Sequence, residues 1–265
     1  MYRHVVIFAK KVISHEVRVL LRKLNWRLRY LLQVAVTWAD PATDVYCPIA
    51  DRSFRTFIHS GNDLLSPLNG AKKRQRLVWL YLKNELQILS KPMTLLHVAP
   101  EQPYLEILRK QEHIDYRPVD KMVDGYSNQK GVRNMDLTNL EFEDSRFDCV
   151  ICNHVLEHIP DDTSAISEMY RVLKQGGVAV VTVPIDENRE ITYESAGITS
   201  PKERVKHFGQ WDHVRWYAPD IKERFENAGF DVDLNRYGLH FSEEEYRKYG
   251  LCDDLIVVAT KKNRV

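Results

Sequence analysis

The sequence predicts an α/β fold built on a doubly wound, mostly parallel sheet, preceded by a helical and small β appendage. Three observations predict it. From about residue 94 onward, strand-length apolar runs alternate with stretches of helical period. Two of those runs, at residues 147–152 and 178–183, are apolar nearly throughout, as strands buried on both faces are. The last two runs follow one another without a full crossover, which suggests an antiparallel edge.

The elements follow in chain order. Residues 16–33 place Val17, Leu20, Leu21, Leu24, Leu28 and Leu31 at helical spacing, with Arg18, Arg22, Arg27 and Arg29 over much of the other side. Such a helix lies on an anionic membrane surface, or packs on the domain or a second subunit with its basic face solvated. Pro41 ends that region; residues 44–70 are turn-rich, and residues 71–89 return to helix through Leu77, Leu80, Tyr81 and Leu86. Strands are expected at residues 94–98, 113–119 (ending at Asp120), 147–152, 178–183, 230–234 and 255–260. Helices are expected at 104–110, at 162–174 and from Pro219 to Gly229. The second of these has Ala165, Ile166, Met169, Tyr170 and Leu173 on one face, Asp162 or Thr163 as its cap, and Gly176-Gly177 as its end. Ser242-Glu243-Glu244-Glu245 has capping-box spacing.

Composition narrows the function. The chain has 265 residues, is 44% hydrophobic and carries a net charge of +1, which implies neither a nucleic-acid nor a membrane partner. Residues 1–33 nevertheless hold eight Lys/Arg against one Glu, a local +7, so the remainder carries −6: a basic appendage on a mildly acidic body. Cys149 and Cys152 read as C-x-x-C but lie three apart on one strand, facing opposite sides, and are expected to be buried hydrophobes. With Cys47 and Cys252 they make no disulfide framework, which fits a reducing, cytoplasmic setting. No run is long enough to span a membrane, and the N-terminus lacks a signal-peptide cleavage site.

In a doubly wound sheet, ligands bind beyond the carboxyl ends of the strands. The first strand is followed by Ala99-Pro100-Glu101-Gln102, without the glycines that let a backbone approach a pyrophosphate, which argues against NAD or FAD. Asp120 follows the second strand, 22 positions after Val98, where an acid accepts ribose hydroxyls. Asp136 and Leu137 precede an acidic turn that suits an adenine. Asn153-His154-Val155-Leu156-Glu157-His158 follows the fourth strand and lies over the pocket centre; His154 or His158 serves as a general base there, or packs locally.

These residues carry a resemblance. The run from Phe147 to Asp161, FDCVICNHVLEHIPD, resembles the signature of class I methyltransferases of the type 11 group, and Glu168 to Gly177, EMYRVLKQGG, resembles that group's next motif. Leu95-Leu96-His97-Val98-Ala99-Pro100-Glu101 resembles a bacterial subgroup in which LHxAPE replaces the usual glycine-rich loop, and His207 to Tyr217, HFGQWDHVRWY, fits that subgroup's later segment. The resemblance covers about residues 95–261. It implies a Rossmann-like seven-stranded sheet, S-adenosylmethionine as methyl donor and S-adenosylhomocysteine as product. It assigns Glu101 and the Ala99 backbone to the donor's methionine end, Asp120 to its ribose, and Asp136 and Leu137 to its adenine, and counts His97, Pro100 and Asn153 among the donor-binding residues. The subgroup opens with a zinc-ribbon-like module, but here Ala50, Ser66 and Asn69 stand at thiolate positions; the one remaining cysteine, Cys47, builds no tetrahedral site, so no metal is expected. The chain is accordingly divided into a basic amphipathic region (1–40), a degenerate ribbon-like module with its linking helix (41–90) and the donor-binding domain (91–265).

A hydroxyl acceptor needs its proton removed, and His207, Asp212 and His213, in a segment expected to cover the pocket as a lid, are the candidate catalytic groups; bracing of the lid is the alternative role. His154, His158, Trp211, Arg215 and Tyr217 are expected to bind substrate, Arg215 an anionic part of it. The polar lid suits a small polar or saccharide acceptor and O-methylation. The competing reading is a catalytically silent, donor-binding scaffold that recruits a partner through residues 1–40. Those residues are also the candidate for dimerisation or for contact with the inner face of the membrane.

Overall fold

The structure, a computed structural model, describes Val17, Leu24, Arg27, Leu28, Leu31, Leu32 and Ala35, then residues 44–121 and 130–262. The seven early positions are helical and exposed, on the stretch where the leucine period predicts a helix. The rest of that expected helix, including Arg18, Arg22 and Arg29, lies outside the described residues. Among the described residues no helix is long and apolar enough to cross a membrane.

The chain divides into two compact units, Met1–Arg76 with Glu243–Leu251, and Leu77–Ser242 with Cys252–Val265. In the first, β1 (Val45–Cys47) pairs antiparallel with β2 (Arg52–Phe54), and β3 (Ile58–Ser60) with β4 (Asp63–Leu65). So few residues bury little apolar area, and a buried cation does the tying. Arg76 is fully buried; it donates to Ala71 O, Tyr249 O and Gly250 O at 2.6, 2.7 and 2.6 Å, and its guanidinium lies 4.0 Å from the Phe57 ring centre. α1 (Lys73–Asn84) spans the boundary between the units.

The second unit continues with β5 (Met93–Val98), α2 (Gln102–Leu108), β6 (Ile114–Asp120), β7 (Arg133–Asn134), β8 (Phe147–Asn153), α3 (Asp162–Val172) and β9 (Leu173–Thr182). The short pair β10 (Tyr193–Glu194) and β11 (Arg215–Trp216) brackets α4 (Pro201–Phe208), and α5 (Ile221–Asn227), β12 (Phe230–Asn235), α6 (Glu243–Tyr249, in the first unit) and β13 (Ile256–Lys261) complete the chain. The sheet has seven strands in the order β12-β13-β9-β8-β5-β6-β7. All neighbours are parallel except β13, which runs antiparallel to both β12 and β9. Chain order reverses between β5 and β8, the switch point at which such sheets bind ligands.

The core sits on the central strands. Phe147, Val150, Ile151 and Cys152 of β8 are fully buried, and Ala165, Ile166, Met169 and Val172 present the apolar face of α3 to the same cluster. Cys149 and Cys152 are buried free thiols, and burial pushes Cys149 up to about 12, where it is inert near neutrality. Two local expectations need correction. The cap of α3 is Asp161, whose carboxylate accepts from Ser164 N at 3.0 Å, because Asp162 is drawn into the buried pair with Tyr217 and Arg224. Nor does Gly176-Gly177 end the helix: the backbone is already extended at Leu173. Instead the pairing with β8 passes from Phe147↔Leu173 to Cys149↔Val178, and residues 174–177 bulge out between. Gly176, at φ 73°, makes the bend, and a Cβ on Gly177 would lie 2.9 Å from Lys174 O and 3.1 Å from Phe147 O.

Candidate functional site

The two strands at the switch point both end on a left-handed residue that is not glycine. Ala99, one past β5, has φ 46°; His154, one past β8, has φ 53°. That conformation costs an L-residue roughly 1–2 kcal/mol. It is held by sheet pairing carried one residue further: Ala99 N–H donates to Val119 O at 2.8 Å and His154 N–H to Thr182 O at 2.7 Å. Held strain of this kind gathers at functional sites.

Glu101 links these strand tips. Asn153 Nδ2 donates to Glu101 Oε2 at 3.2 Å, and Thr182 Oγ1 donates to Asn153 Oδ1 at 2.9 Å, which fixes the amide. His97, fully buried, places Nε2 3.5 Å from the same carboxylate oxygen, while its Nδ1 lies 2.8 Å from the Tyr116 hydroxyl. Burial alone would push the Glu101 pKa up, but His97 and Asn153 hold it below the ordinary glutamate value. His97 therefore acts on Glu101 rather than on the space beyond it. Asp120 ends β6, half-buried; burial raises its pKa, against one backbone N–H from Lys121. Asp136 has its oxygens taken, Oδ1 by Thr138 N and Oγ1 at 3.0 and 2.9 Å and Oδ2 by Lys121 Nζ at 2.6 Å, and these donors lower its pKa against the effect of burial. Leu137, next to it, is buried.

The loop after β8 turns through a single 3-10 turn, Leu156–His158, and meets the segment after α4. Val214 N–H donates to Glu157 O at 2.9 Å. That backbone bond brings five polar side chains together. His158 Nδ1 lies 3.3 Å from Asp212 Oδ2, and the His158 and His213 rings meet edge-on, 4.7 Å between centres. His213 Nδ1 contacts Phe208 O at 3.1 Å, and burial lowers its pKa. Glu157, 2% exposed, contacts His154 Nδ1 through Oε1 at 3.1 Å, while its Oε2 and His154 Nε2 are buried with no hydrogen-bond partner among the described residues.

Other expected site residues are placed elsewhere. His207 sits on α4 with Nδ1 2.8 Å from Tyr193 OH and Nε2 3.6 Å from Glu203, outside this cluster. Trp211 is 53% exposed. Arg215 is no substrate clamp: it is 4% exposed and donates to Leu156 O, Ile159 O and Pro160 O at 3.1, 2.6 and 2.8 Å and to Glu194 at 2.7 Å. Tyr217, fully buried, donates to Asp162 at 2.7 Å. Both belong to the wall that holds the loop. Glu157, Thr182 and Tyr116 were not expected in the site. The one sequence signal for Glu157 was its place between two histidines at i−3 and i+1.

Residues 105–181 match the family model described as "Methyltransferase domain", of the type 11 group. The chain is 36% identical over 103 residues to the "Probable S-adenosylmethionine-dependent methyltransferase" of Mycolicibacterium smegmatis, covering 38% of this chain and 35% of that protein. It is 30% identical over 125 residues to the demethylmenaquinone methyltransferase of Oceanobacillus iheyensis, covering 42% of this chain and 52% of that protein. The chain thus spans about half the length, or less, of these curated relatives. Among solved structures, a putative methyltransferase from Bacillus halodurans aligns with a TM-score of 0.44 at 18% identity, over 71% of this chain and 99% of that one.

Proposed function

We propose that this chain, whose residues 105–181 match the type 11 methyltransferase-domain model, transfers the methyl group of S-adenosylmethionine to a hydroxylated small molecule. The observation that carries this reading is Glu101, a part-buried carboxylate held at the switch point by Asn153 and His97 between two strained strand tips. A carboxylate kept ionised there suits the donor's ammonium group. Asp120, with a backbone N–H from Lys121 against it, is the acceptor for ribose hydroxyls. The turn that Asp136 closes with Thr138 and Lys121 shapes the wall for the adenine beside Leu137. Ala99 and Pro100 bring backbone, without a phosphate cradle, to the methionine end.

Methyl transfer from a sulfonium is an in-line displacement, and the protein's main lever is positioning in a dry site. We assign the acceptor to the face formed by His154, His158, Asp212 and His213. His207 takes no part in this assignment. The polar lid segment favours a saccharide hydroxyl, whereas the relative from O. iheyensis is named for a demethylmenaquinone, a ring acceptor. The free cysteines suit a cytoplasmic enzyme, and the basic, leucine-bearing stretch before residue 40 would hold it at the inner membrane surface or pair two copies.

Calorimetry with S-adenosylhomocysteine and with NAD tests the donor; tight NAD binding without S-adenosylhomocysteine binding would overturn it. Release of S-adenosylhomocysteine against panels of quinols and saccharides tests the acceptor, and donor binding with no turnover on any panel member would favour a scaffold.

A further inference from the structure

We propose that Glu157, His158 and His213 bind one divalent transition-metal ion of the zinc type. One ligand atom from each of the three lies within 4.8 Å of the others. Spacing alone is common among polar clusters, and three further observations point to a cation here.

The first is the unpaired carboxylate oxygen. Glu157 is 2% exposed, and its Oε2 has no hydrogen-bond partner among the described residues, although Oε1 faces His154. A buried carboxylate with an unmatched oxygen is costly, and a cation offsets that cost directly. The second is the setting of the imidazoles. Metal-bound histidines donate their other ring N–H to a carboxylate or a backbone carbonyl. Both partners are in place: Asp212 Oδ2 at 3.3 Å from His158 Nδ1, and Phe208 O at 3.1 Å from His213 Nδ1. In the tautomer these contacts select, each Nδ1 carries the proton and each Nε2 keeps its lone pair for a ligand. The third is rigidity. Arg215 donates to three carbonyls of the loop bearing Glu157 and His158, and the segment bearing His213 is fastened to that loop by the bond from Val214 N to Glu157 O.

Two imidazoles and one carboxylate leave positions open to an exogenous ligand, as in catalytic rather than structural zinc sites, and nitrogen and oxygen donors of this kind suit zinc, cobalt or iron(II) better than calcium. The N-terminal module, where the sequence leads to no expectation of a metal, holds one cysteine, Cys47, and lies apart in sequence from this cluster. An acceptor hydroxyl ligated to such an ion would lose its proton more readily; that role rests on the methyl-transfer reading, whereas the binding does not.

The test uses the untagged full chain, stripped by chelator and titrated with Co2+ and then Zn2+, with no methyl donor present. The expected result is one equivalent of Co2+ with the visible bands of a low-coordinate nitrogen–oxygen site, displaced by Zn2+. His213→Gln and Glu157→Gln should abolish the bands, Asp212→Asn should weaken binding about 10–100-fold, and His207→Gln, outside the cluster, should change nothing. X-ray absorption of the zinc-loaded wild-type chain needs no variant: imidazole and oxygen shells at about 2.0–2.2 Å support the site, and a sulfur shell at about 2.3 Å overturns it in favour of cysteine. Absence of saturable binding, or bands that persist in both His213→Gln and Glu157→Gln, also overturns it. Because S-adenosylhomocysteine binding is measured separately, failure of the metal site and failure of the donor reading are told apart.

Discussion

Replacing Arg215 separates a wall residue from a substrate clamp. In Arg215→Met the aliphatic stem is kept and the guanidinium lost. Leu156 O, Ile159 O and Pro160 O then lose a donor, and Glu194 loses one of its two arginines. Each hydrogen bond to a charged group contributes about 1.5–3 kcal/mol, but the four are not additive, because water refills part of the space. Removing one member of a buried ion pair costs about 3–5 kcal/mol. Asp162 keeps Tyr217 and Arg224 as donors, at 2.7 and 2.9 Å, so the lower end, about 3 kcal/mol, applies. For a chain of this size each kcal/mol moves the thermal midpoint by about 2–4 °C, so the midpoint should fall by roughly 6–12 °C. Arg215→Lys should recover little of this, since one ammonium cannot span three carbonyls and a carboxylate. Thermal and urea unfolding measure it. A loss under about 1 kcal/mol together with a raised KM would refute the wall assignment and restore Arg215 as a binding group.

Three further outcomes are expected. Asp120→Ala should weaken S-adenosylhomocysteine by about 1.5–3 kcal/mol in calorimetry, and unchanged affinity would make Asp120 an ordinary surface acid. Gly177→Ala should destabilise by about 1–3 kcal/mol, because its Cβ meets backbone oxygens at 2.9 and 3.1 Å that cannot rotate away; unchanged urea midpoints would mean that the bulge adjusts freely. Glu101 has its folded pKa below the ordinary value of 4.5, so its ionised form adds stability that is full above that value and is lost as pH falls through the lowered one. Glu101→Gln should therefore flatten the acid limb of the stability profile below about pH 4.5, and an unchanged limb would show that His97 and Asn153 do not favour the carboxylate.

What the sequence made legible follows from what period and spacing encode. The strand positions, the antiparallel edge and the buried thiols on β8 were readable because alternation and apolar runs report burial directly. The end of α3 was not, because Gly176-Gly177 has the composition of a helix stop and nothing local shows that residues 174–177 bulge from a strand. From their place after strands the sequence singles out Asn153, His154, His158, Asp212 and His213, and the structure gathers the last four around Glu157. Glu157 was passed over because a carboxylate inside a family signature looks like part of the signature. Arg215 and His207 were misplaced for one reason: density of titratable groups was read as proximity to substrate, and burial, which separates a wall from a lining, is not written in that spacing.

The mutual fastening of two distant stretches of chain has a consequence for anyone recombining this domain. His158 leans on Asp212, Val214 N–H closes on Glu157 O, and Arg215 is spent on the carbonyls of 156, 159 and 160. Residues 154–162 and 209–217 are thus inherited as one block, though some fifty positions of chain lie between them. A chimera that takes residues 209–217 from a homologue without an arginine at 215 would leave the three loop carbonyls without their donor. Grafts aimed at a new acceptor must carry both stretches, and with them residues 186–208, because β10 pairs with β11, Arg215 donates to Glu194 and His213 contacts Phe208 O.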